Sequence, residues 1–307
     1  MRIIFMGTPD FAVPTLDAIV AAGHEILAVV AQPDRPKGRG HKLVSPPTVQ
    51  RARELGIPTK QPRAVRKGPF VEWMTDAGAD VAVVVAYGRI LIPALLEAPR
   101  LGCINVHASL LPKYRGAAPL NWAIVRGETE SGVTTMQMAE GLDTGDVLLE
   151  SRTPIGPNET TGDLHDRLAE MGAELAVETL AKLHEIAPQP QDHSAHTLAP
   201  MIDKAMAEID WSQDASIIHN LVRGFNPWPI AWTTMGGERM KIKRTRVVEG
   251  DGPAGTVIEA GKCLRVAAGS GALELEQVQL PGKRAQQGLD LVNSGRIAEG
   301  TILGLET

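Results

Sequence analysis

The chain has 307 residues, of which 43% are apolar and 22% charged, with a formal net charge of −5. That length suits two domains with ordinary hydrophobic cores, and the composition excludes a disordered or low-complexity chain. The cysteines, Cys103 and Cys263, lie far apart, which excludes a disulfide framework or zinc ribbon, and the absence of an 18-residue apolar run excludes a membrane span.

Arg2–Met6 is a short apolar run closed by Gly7 and reads as a buried strand. The chain then turns polar at Thr8-Pro9-Asp10 with no small-residue cleavage site after a long apolar stretch, so no secretory signal is read and the cytoplasm is the expected location. A helix is predicted from Asp10, its cap, to about Ala22, with Gly23 as its stop. Glu25–Ala31 is a second buried strand. Residues 33–47 form a long loop punctuated by Pro33, Pro36, Gly38, Gly40, Pro46 and Pro47, and loops of that length in compact domains commonly carry function. Helices follow up to Leu55 and over Phe70–Ala77. Val81–Ala86 is a continuous run rich in β-branched residues, the pattern of a central parallel strand covered on both faces. Gly102–Val106 is the next strand, followed by a helix over Ala117–Val125, a strand over Val133–Met138 and a long helix over Gly162–Leu183.

Strands alternating with helices imply an α/β fold with a doubly wound, mostly parallel sheet of Rossmann-like type. The proline- and glutamine-rich stretch 187–200 reads as a linker. Beyond it a helix near Ser212–Arg223 precedes short strands around 231–235, 238–248, 254–260, 263–268 and 272–280, the texture of a small β-barrel. The expected organisation is a catalytic domain over 1–189, a linker over 190–206 and a C-terminal barrel domain over 207–307.

The charge is unevenly spread. Ten Lys/Arg and two acidic residues between Asp34 and Lys67 give a local +8, which leaves −13 for the rest of the chain. A second basic run spans Arg239–Arg246. This asymmetry suits a polyanion on part of the surface, although a solvated loop and an exposed strand give the same pattern. A dinucleotide is not expected. The first strand–turn–helix reads Gly7-Thr-Pro-Asp-Phe-Ala-Val, with one glycine where the phosphate fingerprint needs three.

The stretch that carries chemistry is Asn105-Val-His107-Ala-Ser109-Leu-Leu-Pro112. Period-two geometry puts Asn105 and His107 on one face at the carboxyl end of a parallel strand, where open α/β sheets hold ligands. The amide can donate to a developing oxyanion and the imidazole can move a proton. Gly141-Leu-Asp143-Thr-Gly145 offers a carboxylate on a turn able to approach them. Taken singly, a strand-end histidine is often a satisfied structural residue and an aspartate between glycines a turn former. Spacing alone does not bring His107 and Asp143 together. His193 and His196 lie close in sequence without a third ligand, so no metal site is expected. Tyr87, Tyr114 and Trp122 are candidates either to stack on a ring or to fill the core.

These motifs resemble the signature of the 10-formyltetrahydrofolate-dependent formyltransferases. The resemblance extends to Gly7-Thr-Pro-Asp-Phe11, Gln32-Pro-Asp-Arg-Pro36, Val84-Val-Ala-Tyr-Gly88, Lys113-Tyr-Arg-Gly-Ala-Ala-Pro119 and Phe225-Asn-Pro-Trp-Pro229. It covers nearly the whole chain and is strongest to family members that act on methionyl-tRNA. It implies that Asn105, His107 and Asp143 are catalytic, and that Ser109, Leu110, Leu111 and Pro112 contact tetrahydrofolate. It further implies that Arg89, Ile90 and Leu91 lie near the pterin-binding loop and that Arg39 and Lys42 sit on an insertion that meets the tRNA acceptor stem. The implied C-terminal domain is an OB-like barrel with further RNA contacts. The implied reaction moves the formyl group of 10-formyltetrahydrofolate, a co-substrate, to the methionine amine of initiator methionyl-tRNA, with no metal, no membrane and a monomeric enzyme. A formyltransferase acting on a sugar or other small amine, a hydrolase releasing the formyl group to water and a non-catalytic RNA-binding module are the rival readings.

Overall fold

A computed structural model describes residues 1–37 and 42–305. The chain divides into two compact units. The first comprises Met1–Pro119, Ser131–Thr153 and His165–Pro200, and the second Leu120–Glu130, Pro154–Leu164 and Met201–Thr307.

In chain order, the elements up to residue 200 are β1 (Arg2–Gly7), α1 (Val13–Ala21), β2 (Glu25–Val30), β3 (Arg35–Lys37), β4 (Lys42–Val44), α2 (Pro47–Glu54), β5 (Thr59–Lys60), α3 (Pro69–Asp76), β6 (Val81–Val85), α4 (Pro93–Leu96), β7 (Cys103–His107), β8 (Arg115–Gly116), α5 (Pro119–Val125), β9 (Glu130–Gln137), β10 (Val147–Pro154), α6 (Thr161–Lys182) and β11 (Leu198–Ala199). The main sheet has the order β10-β9-β7-β6-β1-β2-β5. Strands β7, β6, β1, β2 and β5 run parallel, and β9 joins β7 antiparallel. The continuous apolar runs of β1 and β6 follow from this, because each is buried on both faces, and β7 is equally buried although it carries Asn105 and His107.

Strand order reverses at β1, which has β2 on one side and β6 on the other. Ligand crevices open at such a switch point, beyond the carboxyl ends of the strands. The Thr8 hydroxyl ties that end together: it donates to the Tyr87 carbonyl at 3.1 Å and accepts from the Gln32 main-chain N–H at 3.2 Å.

Two local departures from the sequence reading have simple causes. The first helix begins at Val13 after a short 3-10 turn over Asp10–Ala12, with no side-chain cap from Asp10. Pro14, which lacks an N–H, is tolerated in a first turn and not deeper. The 33–47 loop contains a short antiparallel hairpin, β3 with β4.

In the second unit, α7 (Ala215–Gly224) is followed by β12 (Trp232–Met235), β13 (Glu238–Val248), β14 (Val257–Ala260), β15 (Leu264–Ala267), β16 (Ala272–Gln279), β17 (Gln286–Gln287) and α8 (Gly288–Asn293). The antiparallel sheet has the order β12-β13-β16-β15-β14, with β17 against β16, and curls into an OB-like half-barrel. Asp214 caps α7 by accepting from the Ser216 N–H at 2.7 Å. Ile218 and Val222 of α7 join Met240, Ile242, Val257 and Leu264 in the core. Strand alternation buries Met240 and Ile242 and turns Arg239 outward, and the register shifts on either side of Arg244 bring Arg246, otherwise in phase with the buried pair, out to the surface. Part of that basic stripe is neutralised, because Arg246 meets Glu274 at 2.9 Å and Glu276 at 3.5 Å.

Candidate active site

Strand β7 is the platform of the site. Its period puts Cys103, Asn105 and His107 on one face, and Cys103 packs there with Ala82, Val84, Met74 and Leu95. Val106 turns to the other face. There α6 comes so close that a Cβ on Gly172 would lie 3.1 Å from the Val106 side chain. The strand is therefore wedged from both sides, and its end cannot shift without disturbing two packed layers.

Asn105 pairs in register with Val84 of β6 and Met136 of β9, and His107 with Thr134. Both side chains are buried, at 8% and 6% exposure. The Asn105 amide takes no hydrogen-bond partner among the described residues. Its amide atoms are not sealed from solvent, so a ligand or transition state can supply the partner.

His107 is fixed more tightly. Its Nε2 lies 3.0 Å from the Tyr114 carbonyl oxygen. A carbonyl only accepts, so Nε2 carries a proton and proton exchange is left to Nδ1. Nδ1 faces Asp143 Oδ2 at 3.8 Å, a charge contact longer than a hydrogen bond. The same carboxylate oxygen accepts from the Gly116 N–H at 2.8 Å. The chain thus brings His107 and Asp143 together although they lie 36 residues apart. It does so through the antiparallel return of β9 beside β7 and the turn between β9 and β10.

That turn depends on Gly145, where a Cβ would run into the Gln137 carbonyl. The strand that meets it, β8, depends on Gly116 (φ +128°), where a Cβ would come within 2.5 Å of the Ala199 carbonyl. Asp143 itself has φ +52°, a left-handed conformation that side chains other than glycine adopt reluctantly.

The segment after β7 is locked by Thr134. Its hydroxyl donates to the Ser109 carbonyl at 2.7 Å and accepts from the Leu111 N–H at 3.2 Å. Ser109 donates to the Lys113 carbonyl at 2.7 Å, and Leu111 is buried. Leu110 and Pro112 are half-buried. Beyond β6, Arg89, Ile90 and Leu91 have three different settings. The Arg89 guanidinium donates to Gln32 Oε1 at 3.2 Å and the Arg63 carbonyl at 3.0 Å, Ile90 is 59% exposed, and Leu91 is buried in the core. Ile90 and Arg89 line a cavity of about 500 Å³ with Ala64, Val65, Arg66, Lys67 and Gly88.

Of the aromatic candidates, Tyr87 and Tyr114 are core residues, and burial pushes the Tyr87 hydroxyl up to about 12. The Arg126 guanidinium sits 5.2 Å from the Trp122 ring. Arg39 and the side chain of Lys42 lie outside the described residues. Around them the cationic segment is partly paired: Arg51 meets Asp17 at 2.8 Å and Glu54 at 2.7 Å. Among the described residues no group of three or more His, Cys, Asp or Glu is arranged to hold a metal ion, and no helix is long and apolar enough to cross a membrane.

A formyl transferase family model matches residues 1–180, and a model of the formyl transferase C-terminal domain matches residues 201–296. This chain belongs to the formyl transferase family. The formyl transferase is 52% identical over 305 residues to the methionyl-tRNA formyltransferase of Pelobacter propionicus, covering 98% of this chain and 96% of that protein. It is 50% identical over 303 residues to the methionyl-tRNA formyltransferase of Ruegeria pomeroyi, covering 99% and 100%. Among solved structures, the fold resembles an N-formyltransferase from Helicobacter canadensis in complex with folinic acid and dTDP-3-aminofucose. That match has a TM-score of 0.66 at 18% identity, over 90% of this chain and 98% of the other.

Several groups in the formyl transferase site escape a reading of sequence alone. The Tyr114 carbonyl and the Gly116 N–H are main-chain groups that leave no side-chain signal. Thr134 sits in an ordinary strand pattern. Arg115 and Gln191 are both buried and bonded to one another, yet Gln191 lies in a stretch whose composition reads as a connector.

Proposed function

We infer that this chain transfers the formyl group of 10-formyltetrahydrofolate to the α-amine of methionine on initiator methionyl-tRNA. The observation that carries the acceptor is the likeness, at about half of all positions and through both units, to methionyl-tRNA formyltransferases. Catalysis is assigned to residues 1–189, the connection to 190–206 and further RNA contact to 207–307. The enzyme acts as a cytoplasmic monomer.

In this reading the methionine nitrogen attacks the formyl carbon, forming a C–N bond as the carbonyl electrons move to oxygen. Asn105 donates its amide N–H to that oxygen. His107 accepts the ammonium proton at Nδ1, and the Asp143 carboxylate at 3.8 Å balances the charge gained by the ring. The bond to the folate nitrogen then breaks, that nitrogen takes the proton from His107, and the formyl carbonyl re-forms. No step is routed through a metal.

Ser109–Pro112 and Arg89–Leu91 hold the folate. The cavity beside Ile90 pairs the apolar Val65 and Ile90 with Arg66, Lys67 and Arg89. That lining suits a flat heteroaromatic system bearing carboxylates.

The acceptor stem is held through phosphates by the basic segment that includes Arg39 and Lys42. Arg39→Ala is expected to weaken tRNA binding and to lower the salt slope of log K by roughly 1, with folate affinity unchanged. Filter binding across a salt series checks this, and an unaltered slope removes Arg39 from the interface.

The reaction is tested by supplying labelled 10-formyltetrahydrofolate with charged initiator tRNA, uncharged tRNA or a nucleotide-linked amino sugar. Label on the methionine alone is expected. Label on the sugar, or formate released to water without acceptor, overturns the reading.

A further inference from the structure

Gln191 is buried at 7% exposure, and every hydrogen-bonding position of its amide is used. Nε2 donates to the main-chain carbonyls of Asp143 at 2.9 Å and Gly145 at 2.6 Å. Oε1 accepts from Nε and Nη2 of Arg115 at 3.1 Å and 2.6 Å. Arg115 is itself buried at 5% exposure, and its Nη2 also donates to His193 Nδ1 at 3.0 Å. Burying a guanidinium and an amide is unfavourable unless their donors are met, so a solvated connector has no reason to adopt this arrangement. It is fastened here to the turn that carries Asp143.

We propose that Gln191 is a positioning residue for formyl transfer, which clamps the Asp143 turn and holds its carboxylate against His107. The turn needs such a clamp. Asp143 adopts φ +52°, and its carboxylate reaches His107 across 3.8 Å without a direct hydrogen bond to fix the distance. The Gly116 N–H anchors the carboxylate from one side, and the Gln191 amide anchors the backbone that bears it from the other. Arg115 sits one residue before Gly116, so the two anchors are joined through the Arg115–Gln191 pair. The segment around β11 reinforces the join: Arg115 donates its N–H to the Thr197 carbonyl at 2.9 Å, and Ala117 donates to the Ala199 carbonyl at 2.8 Å. This proposal rests on the catalytic assignment of His107 and Asp143 made above.

The test compares the full-length wild type with Gln191→Glu, which keeps both acceptors for Arg115 but loses the two N–H groups that hold the turn. Transfer from 10-formyltetrahydrofolate to methionyl-tRNA by the wild type is measured first. Its failure refutes the functional reading and not the clamp alone. With an active wild type, Gln191→Glu is expected to lower kcat by about 10- to 10²-fold with KM for both substrates held within about 3-fold, because misplacement of a catalytic group costs turnover more than binding. Combined with Asp143→Ala, it is expected to add less than about 3-fold to the loss from Asp143→Ala alone, since nothing remains to be positioned. Gln191→Ala, which brings no charge to the turn, should repeat the pattern. Wild-type kcat in both variants, a change confined to KM, or losses that multiply with Asp143→Ala overturns the proposal. Loss of a cooperative melt in both variants overturns it too, by making Gln191 a residue of the fold.

Discussion

Replacing His107 by alanine is expected to lower kcat for formyl transfer by about 10²- to 10⁴-fold, the usual contribution of a positioned acid–base group. The geometry sets the role of each ring nitrogen. Nε2 is committed to the Tyr114 carbonyl at 3.0 Å, so only Nδ1 can accept the amine proton. Alanine removes both functions and takes from the Tyr114 carbonyl the hydrogen bond it accepts from the ring, a loss of about 0.5–1.5 kcal/mol that by itself lowers stability. His107→Gln separates the two effects. A glutamine amide can donate to the Tyr114 carbonyl, yet it has no basic lone pair to receive a proton. Its thermal midpoint should therefore lie near wild type while kcat falls as far as in His107→Ala. Single-turnover transfer with saturating substrates reads the loss directly. A glutamine variant with wild-type turnover would remove His107 from proton transfer and leave it as a prop for residue 114.

How much of this site is legible in sequence depends on which interaction makes each part. Strand β6 is legible because burial on both faces demands an unbroken apolar run, and in β7, where Asn105 and His107 interrupt the run, their shared face follows from the strand period alone. The meeting of His107 with Asp143 is not legible from spacing, because it depends on β9 returning antiparallel along β7, a pairing set by tertiary packing. Strand β10 is largely half-exposed or exposed at the sheet edge, and its sequence, three apolar residues followed by a polar run, carries no hydrophobic alternation. The main-chain groups of Tyr114 and Gly116 leave no trace in residue identity. Gln191 is the most instructive case. Its neighbours Pro188, Pro190 and Asp192 speak for a solvated connector, while its own side chain is buried by partners some 46 to 76 residues away in sequence. Local composition describes the backbone's preference to be irregular, and here that irregular backbone is fastened down by side-chain hydrogen bonds.

Asn105→Ala is expected to lower kcat by about 10²- to 10³-fold, the typical loss on removing one oxyanion donor. Its effect on stability should be the opposite of that at His107. The Asn105 amide takes no partner among the described residues, so truncation orphans no donor or acceptor and removes a polar group held at 8% exposure. The variant should melt at or slightly above the wild-type midpoint. Sites built for transition states commonly show this trade of stability for preorganised polar groups. Asn105→Asp sharpens the argument, because an ionised carboxylate of the same shape cannot donate and repels the developing oxyanion. Its turnover should fall at least as far as that of the alanine variant at neutral pH. Substrate affinity should move little in either variant, since the hydrogen bond strengthens as the formyl carbon becomes tetrahedral and contributes less to the ground state. A rise in KM with unchanged kcat would instead make Asn105 a binding group for the folate formyl oxygen, and the donor to the oxyanion would have to be sought among the main-chain N–H groups around β7.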